Sequence, residues 1–139
     1  MTSGVERYEF EGKLFALVVR KNYRSEGADF LTDSNSLLQL GILSHKKSAE
    51  INPHIHNSLP RTIDKTNEVL HILEGKVEVV FYSEKGETLG RTTLNTGDTI
   101  LLADGGHGFR MLENSRILEV KQGPYSGKGN DKSPITKHD

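Results

Sequence analysis

The stretch Glu68-Val69-Leu70-His71-Ile72-Leu73-Glu74-Gly75-Lys76-Val77-Glu78-Val79-Val80-Phe81-Tyr82 decides the fold. Both halves are rich in branched and aromatic residues, and Glu74-Gly75 between them supplies the residue of positive φ that a tight hairpin needs. In the first half, period-2 counting puts Glu68, Leu70 and Ile72 on one face and Val69, His71 and Leu73 on the other. A carboxylate heading an apolar face is costly to bury unless it is paired or bound to a metal, so Glu68 needs a partner.

Outward from this hairpin, short apolar stretches recur, separated by Gly, Asn, Asp and Ser and not by helical periods. Strands are expected over residues 13–19, 37–44, 69–73, 77–82, 88–94, 99–102, 108–112 and 116–121. Lys85-Gly86, Asn95-Thr96-Gly97-Asp98 and Glu113-Asn114-Ser115 mark the turns. Eight short antiparallel strands at this spacing suit an all-β jelly-roll β-barrel, a single domain over residues 1–125. One helical turn is expected within 31–38, with Asp33 or Ser34 as N-cap. The polar tail 126–139 has almost no apolar anchor and is expected to lie loosely on the surface.

Composition narrows the chemistry. The 139 residues suffice for one core, with 34% hydrophobic and 27% charged residues. A formal charge of −1 with no basic stripe argues against nucleic-acid binding. There is no cysteine, hence no disulfide or thiolate metal site. No leader-like or membrane-length apolar run occurs, so a cytoplasmic address is expected and membrane insertion is not. Metal ligands are left to His, Asp, Glu and solvent, and the six histidines become the residues to place.

Pro53-His54-Ile55-His56 puts two imidazoles two residues apart, which in an extended segment turns both to one face. Ala103-Asp104-Gly105-Gly106-His107-Gly108 presents a third from a glycine-rich turn. Exposed loop histidines and a solvent-paired Glu68 are the plain alternatives. His71 is expected on the outer sheet face, His45 beside Lys46 and Lys47 in solvent, and His138 in the tail; none of the three is a candidate site residue.

These residues resemble the two motifs of the cupin superfamily. His54-x-His56, Glu68 and, six residues further, Gly75 follow the first motif, although Ser48 stands in place of its leading Gly and eleven residues separate His56 from Glu68. Gly97, Gly105 and His107 follow the second, with Ala103 in place of Pro, His107 one residue early and Met111 in place of Asn. The resemblance covers roughly residues 37–125. It implies a jelly roll with a divalent ion (Fe, Mn, Zn or Ni) held by His54, His56, Glu68 and His107. The stretches 61–70 and 119–125 are further similar to small cupins found among bacterial surface-polysaccharide genes, which points to a sugar or sugar-nucleotide ligand.

Glu119 and Lys121 share one face of the last expected strand, and an inward direction would let them, with Tyr125, move protons on a substrate. An exposed ion pair is the alternative for these two. Arg61 could hold a phosphate or carboxylate, or be an ordinary loop cation. The reading is a metal-dependent isomerase or epimerase acting on a small polar metabolite. An iron-dependent dioxygenase, a non-catalytic binding protein and a metal-free isomerase using His54 or His56 as base are the alternatives. A homodimer is expected, because pairing removes exposed sheet edges.

Overall fold

The computed structural model describes residues 4–137. In chain order the strands are β1 (Val5–Phe10), β2 (Lys13–Val19), β3 (Gly27–Phe30), β4 (Gly41–Ser44), β5 (Glu68–Glu74), β6 (Lys76–Tyr82), β7 (Thr88–Asn95), β8 (Thr99–Leu102), β9 (Gly106–Met111) and β10 (Arg116–Lys121). One turn of helix, α1 (Lys128–Asp131), follows. The protein is therefore all-β, and no helix among the described residues is long and apolar enough to cross a membrane. The chain divides into two compact units, Arg24–Lys65 and a larger one that runs to Tyr23 and resumes at Thr66. The single domain expected over 1–125 did not anticipate this division.

The larger unit contains two antiparallel sheets, in the orders β1-β2-β8-β5-β10 and β7-β6-β9. β5 and β6 do not pair as the expected hairpin; the turn at Gly75 carries the chain from one sheet to the other, and the alternation of side chains along both strands builds the core. Leu70 and Ile72 of β5 and Val77, Val79 and Phe81 of β6 are buried, whereas Leu73 is exposed. Ala16 and Val18 of β2, Leu94 of β7, and Ile100 and Leu102 of β8 complete a cluster shared by both sheets. The ladders remain separate, so the strands do not close into the continuous barrel that was expected.

In the smaller unit, β3 and β4 form a two-stranded ladder. The helical turn expected within 31–38 is instead the loop of this hairpin. Leu31 N–H donates to Leu40 O at 2.8 Å, and the Gln39 amide donates to the carbonyls of Asp33 and Ser36. The loop takes residues 37–40 from the strand expected there, which begins only at Gly41. β1 and β3 were not anticipated either. In β1, Tyr8 and Phe10 alternate with Arg7 and Glu9, and both rings reach Phe81, at centroid distances of 5.1 and 5.8 Å.

Arg20 ties the two sheets at the end of β8 that begins with Thr99. All five of its N–H groups are engaged: with Glu6 at 2.7 and 2.9 Å, Thr93 O at 2.7 Å, and Asp98 and Thr92 at 3.1 Å. Asp98 is buried and also caps its own turn, accepting from Asn95 N–H and Lys21 N–H. Hydrogen bonding to Arg20 holds the Glu6 carboxyl below its ordinary range. Arg20→Met leaves Asp98 a buried charge without its guanidinium and should cost about 3 kcal/mol in urea unfolding. Glu6→Gln, at a half-exposed position, should cost less than about 1 kcal/mol. Because the folded value for Glu6 is depressed, its contribution is complete above the unfolded value and is lost as pH falls through the folded one. The urea midpoint should thus fall less steeply in acid for Glu6→Gln than for the wild type.

Candidate functional site

The opposite end of β8 carries a cluster of titratable side chains. Glu68 lies opposite Leu102, shares the inward face with Leu70 and Ile72, and has a side chain only 13% exposed. β10 runs beside β5 with Lys121 opposite Glu68 and Glu119 opposite Leu70, so both point to that same face. From the other sheet, His107 of β9 is paired with Phe81, a core residue, and therefore also faces inward. His107 Nε2 lies 3.0 Å from Glu68 Oε1, a contact that spans the two sheets.

The neighbours set the charges. Hydrogen bonding from His107 holds the Glu68 carboxyl below the usual range of a glutamate. Burial followed by the neighbouring Glu68 charge pushes the Glu119 carboxyl up. Lys121 Nζ lies 3.2 Å from Asp131 Oδ2 and 3.9 Å from Glu119 Oε2, and its ammonium is held charged chiefly by Asp131. Its nitrogen is also 5.7 Å from the centre of the Tyr125 ring, which is 66% exposed.

His54, His56 and Arg61 belong to the Arg24–Lys65 unit and are exposed, in a stretch outside any strand and not on a sheet face as expected. The two imidazole rings nevertheless stand together, with centroids 5.3 Å apart. His54 Nδ1 is 2.8 Å from Asn52 O, and since a carbonyl only accepts, that nitrogen carries the proton. Neutral His54 then has its lone pair on Nε2, the tautomer a metal ligand needs.

Among the described residues, no three His, Asp or Glu side chains converge as metal ligands. The Glu68–His107 pair nevertheless fits an ion. Bonds of about 2.1 Å meeting at a right angle require donor atoms about 3.0 Å apart. The observed spacing of Oε1 and Nε2 is 3.0 Å. Ser48, Gly75, Gly97 and Gly105 have φ of 73°, 109°, 92° and 70°, the left-handed region that favours glycine.

The sequence reading missed Asp131, whose carboxylate reaches Lys121, and Gly106, which receives Ile135. Both contacts tie down a tail expected to lie loosely. His71 is on the outer face, bonded to Thr99 Oγ1 at 2.8 Å, and His45 is exposed. His138 lies outside the described residues.

No family model matches the chain. Comparison with curated proteins and with solved structures likewise finds no match.

Carboxyl NMR titration checks the charge assignment. Glu119 should lose its proton above, and Glu68 below, the ordinary glutamate range of about 4.3. Glu68→Gln should return Glu119 part of the way toward that value, leaving the share due to burial.

Proposed function

We propose that the protein is a cupin-type isomerase or epimerase of a small polar metabolite, a sugar or sugar-nucleotide derivative. In this reading Glu68 and His107 are two ligands of a first-row divalent ion, and Glu119, Lys121 and Tyr125 are the groups that move protons. The observation that carries it is the 3.0 Å contact between Glu68 and His107, one residue from each of the two resembled motifs. The two sheets facing one core support the jelly-roll reading.

A bound divalent ion supplies Lewis-acid polarisation of a substrate carbonyl or hydroxyl. The chain's own groups do the rest. Glu119, whose carboxyl is pushed up by burial and by the Glu68 charge, is the group placed to exchange a proton with a substrate oxygen. Lys121 faces the same space with a positive charge that favours an enolate-like oxygen, and the Tyr125 hydroxyl lies on the segment that follows it.

The direct Glu68–His107 contact also favours a second reading, in which this pair is itself the acid and base and no ion takes part. Turnover on a panel of sugars and sugar nucleotides, before and after a chelator, separates the two. Loss of activity with chelator and recovery with added metal supports the first reading, whereas unchanged activity supports the second. Oxygen uptake that follows iron loading would mark a dioxygenase. Tight binding without turnover, whatever the metal, would mark a binding protein. Glu119→Gln should lower kcat by about a hundredfold while leaving metal content unchanged.

Pairing with a second copy remains part of the proposal. β10 is an edge strand whose outward side chains Leu118 and Val120 are 52% and 54% exposed. Light scattering should give the mass of two chains, and the mass of one would contradict it.

A further inference from the structure

The C-terminal segment of the larger unit rests on the site. α1 buries none of its residues, yet the Asp131 side chain is only 15% exposed because its carboxylate is seated against Lys121. Four residues on, Ile135 lies against Gly106, where an added Cβ would come within 2.3 Å of its Cδ1, and Gly106 directly precedes His107. Between these points the charge of Lys132 acts on Glu119. Residues 131–135 therefore cross from Lys121 on β10 to the start of β9, passing the side chains of the candidate site.

This attachment is weak for its position. The helix is a single turn, and Ile135, the segment's apolar contact with β9, is itself only half-buried. The pair still reaches water, through side chains 21% and 15% exposed, so a ligand carboxylate that makes the same charge-assisted hydrogen bond can exchange with Asp131. Lys121 is different, because its place is fixed by the sheet: it lies in register with Glu68 and its side chain is 21% exposed. Its ammonium has three N–H donors, with Asp131 Oδ2 at 3.2 Å and Glu119 Oε2 at 3.9 Å, and it also feels the charge of Glu68. A fixed ammonium beside a proton-moving cluster, with a loosely tethered carboxylate on it, is the arrangement of a recognition group covered by an internal surrogate.

We propose that Lys121 recognises a carboxylate on the ligand, that the site takes a polyhydroxy acid of the uronate class, and that Asp131 holds the carboxylate position until the ligand displaces it. This rests on the reading of Glu68, His107 and Glu119 as a small-molecule site. The ligand's carboxylate replaces Asp131 on Lys121, and its hydroxyl groups face Glu119 and His107. The segment 131–135 then swings away from β9, so the free protein binds with an affinity reduced by the fraction of molecules in which Asp131 is seated.

Calorimetric titration of the full-length protein with D-glucuronate, D-galacturonate and D-mannuronate, against D-glucose and D-glucose 6-phosphate, tests this. At least one uronate should bind the wild type, with glucose about tenfold weaker or worse. Seating of Asp131 in nine of every ten molecules gives about a tenfold gain for that uronate in Asp131→Asn. Lys121→Met should bind the uronate no better than glucose. Ile135→Ala loosens the same segment without touching a charge, so it should shift affinity in the same direction as Asp131→Asn and serves if that variant folds poorly. Unchanged or weaker uronate binding in the two loosened variants overturns the proposal. So does glucose binding equal to uronate binding, tighter binding of glucose 6-phosphate, or the absence of heat with every uronate in both wild type and Asp131→Asn. The readout is heat, on protein of measured metal content. Uronate binding without turnover would therefore sink the isomerase reading and leave this inference standing, and turnover of neutral sugars without uronate binding would do the reverse.

Discussion

Glu68 occupies the end of a row whose next two members, Leu70 and Ile72, lie in the core, and a carboxylate in that row is stable only beside a donor. His107 is that donor, and it comes from the opposite sheet. One contact thus bridges the two sheets at this end of the core and fixes the charge that, after burial, raises the neighbouring Glu119 carboxyl, while Lys121 is held chiefly by Asp131. The rest of the site follows from strand register, because β10 can pair with β5 only by bringing Glu119 and Lys121 to the same face.

The two charged bridges between the sheets differ in a way that separates structure from chemistry. At the Thr99 end of β8, Arg20 spends every N–H on a protein acceptor, leaving nothing for a ligand. At the Leu102 end, Glu68 and His107 retain bonding capacity. A carboxylate offers about four lone-pair sites, and those of Glu68 are only partly taken by His107 and Glu119. That unspent capacity, on side chains 13% and 29% exposed, is what an ion or a substrate can use. The C-terminal segment lies over this end of the unit, where the bonding is incomplete.

Much of this was legible in the sequence where burial enforces period 2. The strands β5 and β6, the faces of Glu68 and His71, and the shared face of Glu119 and Lys121 all followed from alternation, whereas the assignment of β5 and β6 to different sheets did not. β1 carries the same alternation, Tyr8 and Phe10 against Arg7 and Glu9, but over too few apolar residues to stand out, and the hairpin loop at 31–40 looked helical because its polar residues are also good N-caps. His54 and His56 were expected on a strand, and no local signal in Pro53-His54-Ile55-His56 distinguishes an extended coil from a sheet. Asp131 was invisible for a different reason: a lone carboxylate in a Gly, Lys and Asn turn carries no periodicity, and only the fold brings it to Lys121. Ser48 shows the reverse case, a departure from the motif's glycine that nonetheless keeps the left-handed backbone glycine would adopt.

The central claim is that Glu68 and His107 are two ligands of one divalent ion, and elemental analysis tests it most directly. Protein purified without chelators from metal-supplemented medium should carry about one first-row ion per chain, and Glu68→Gln and His107→Ala should each lose most of it while keeping the wild-type fold. A wild-type metal content near zero, or variants that retain the ion, would contradict the account.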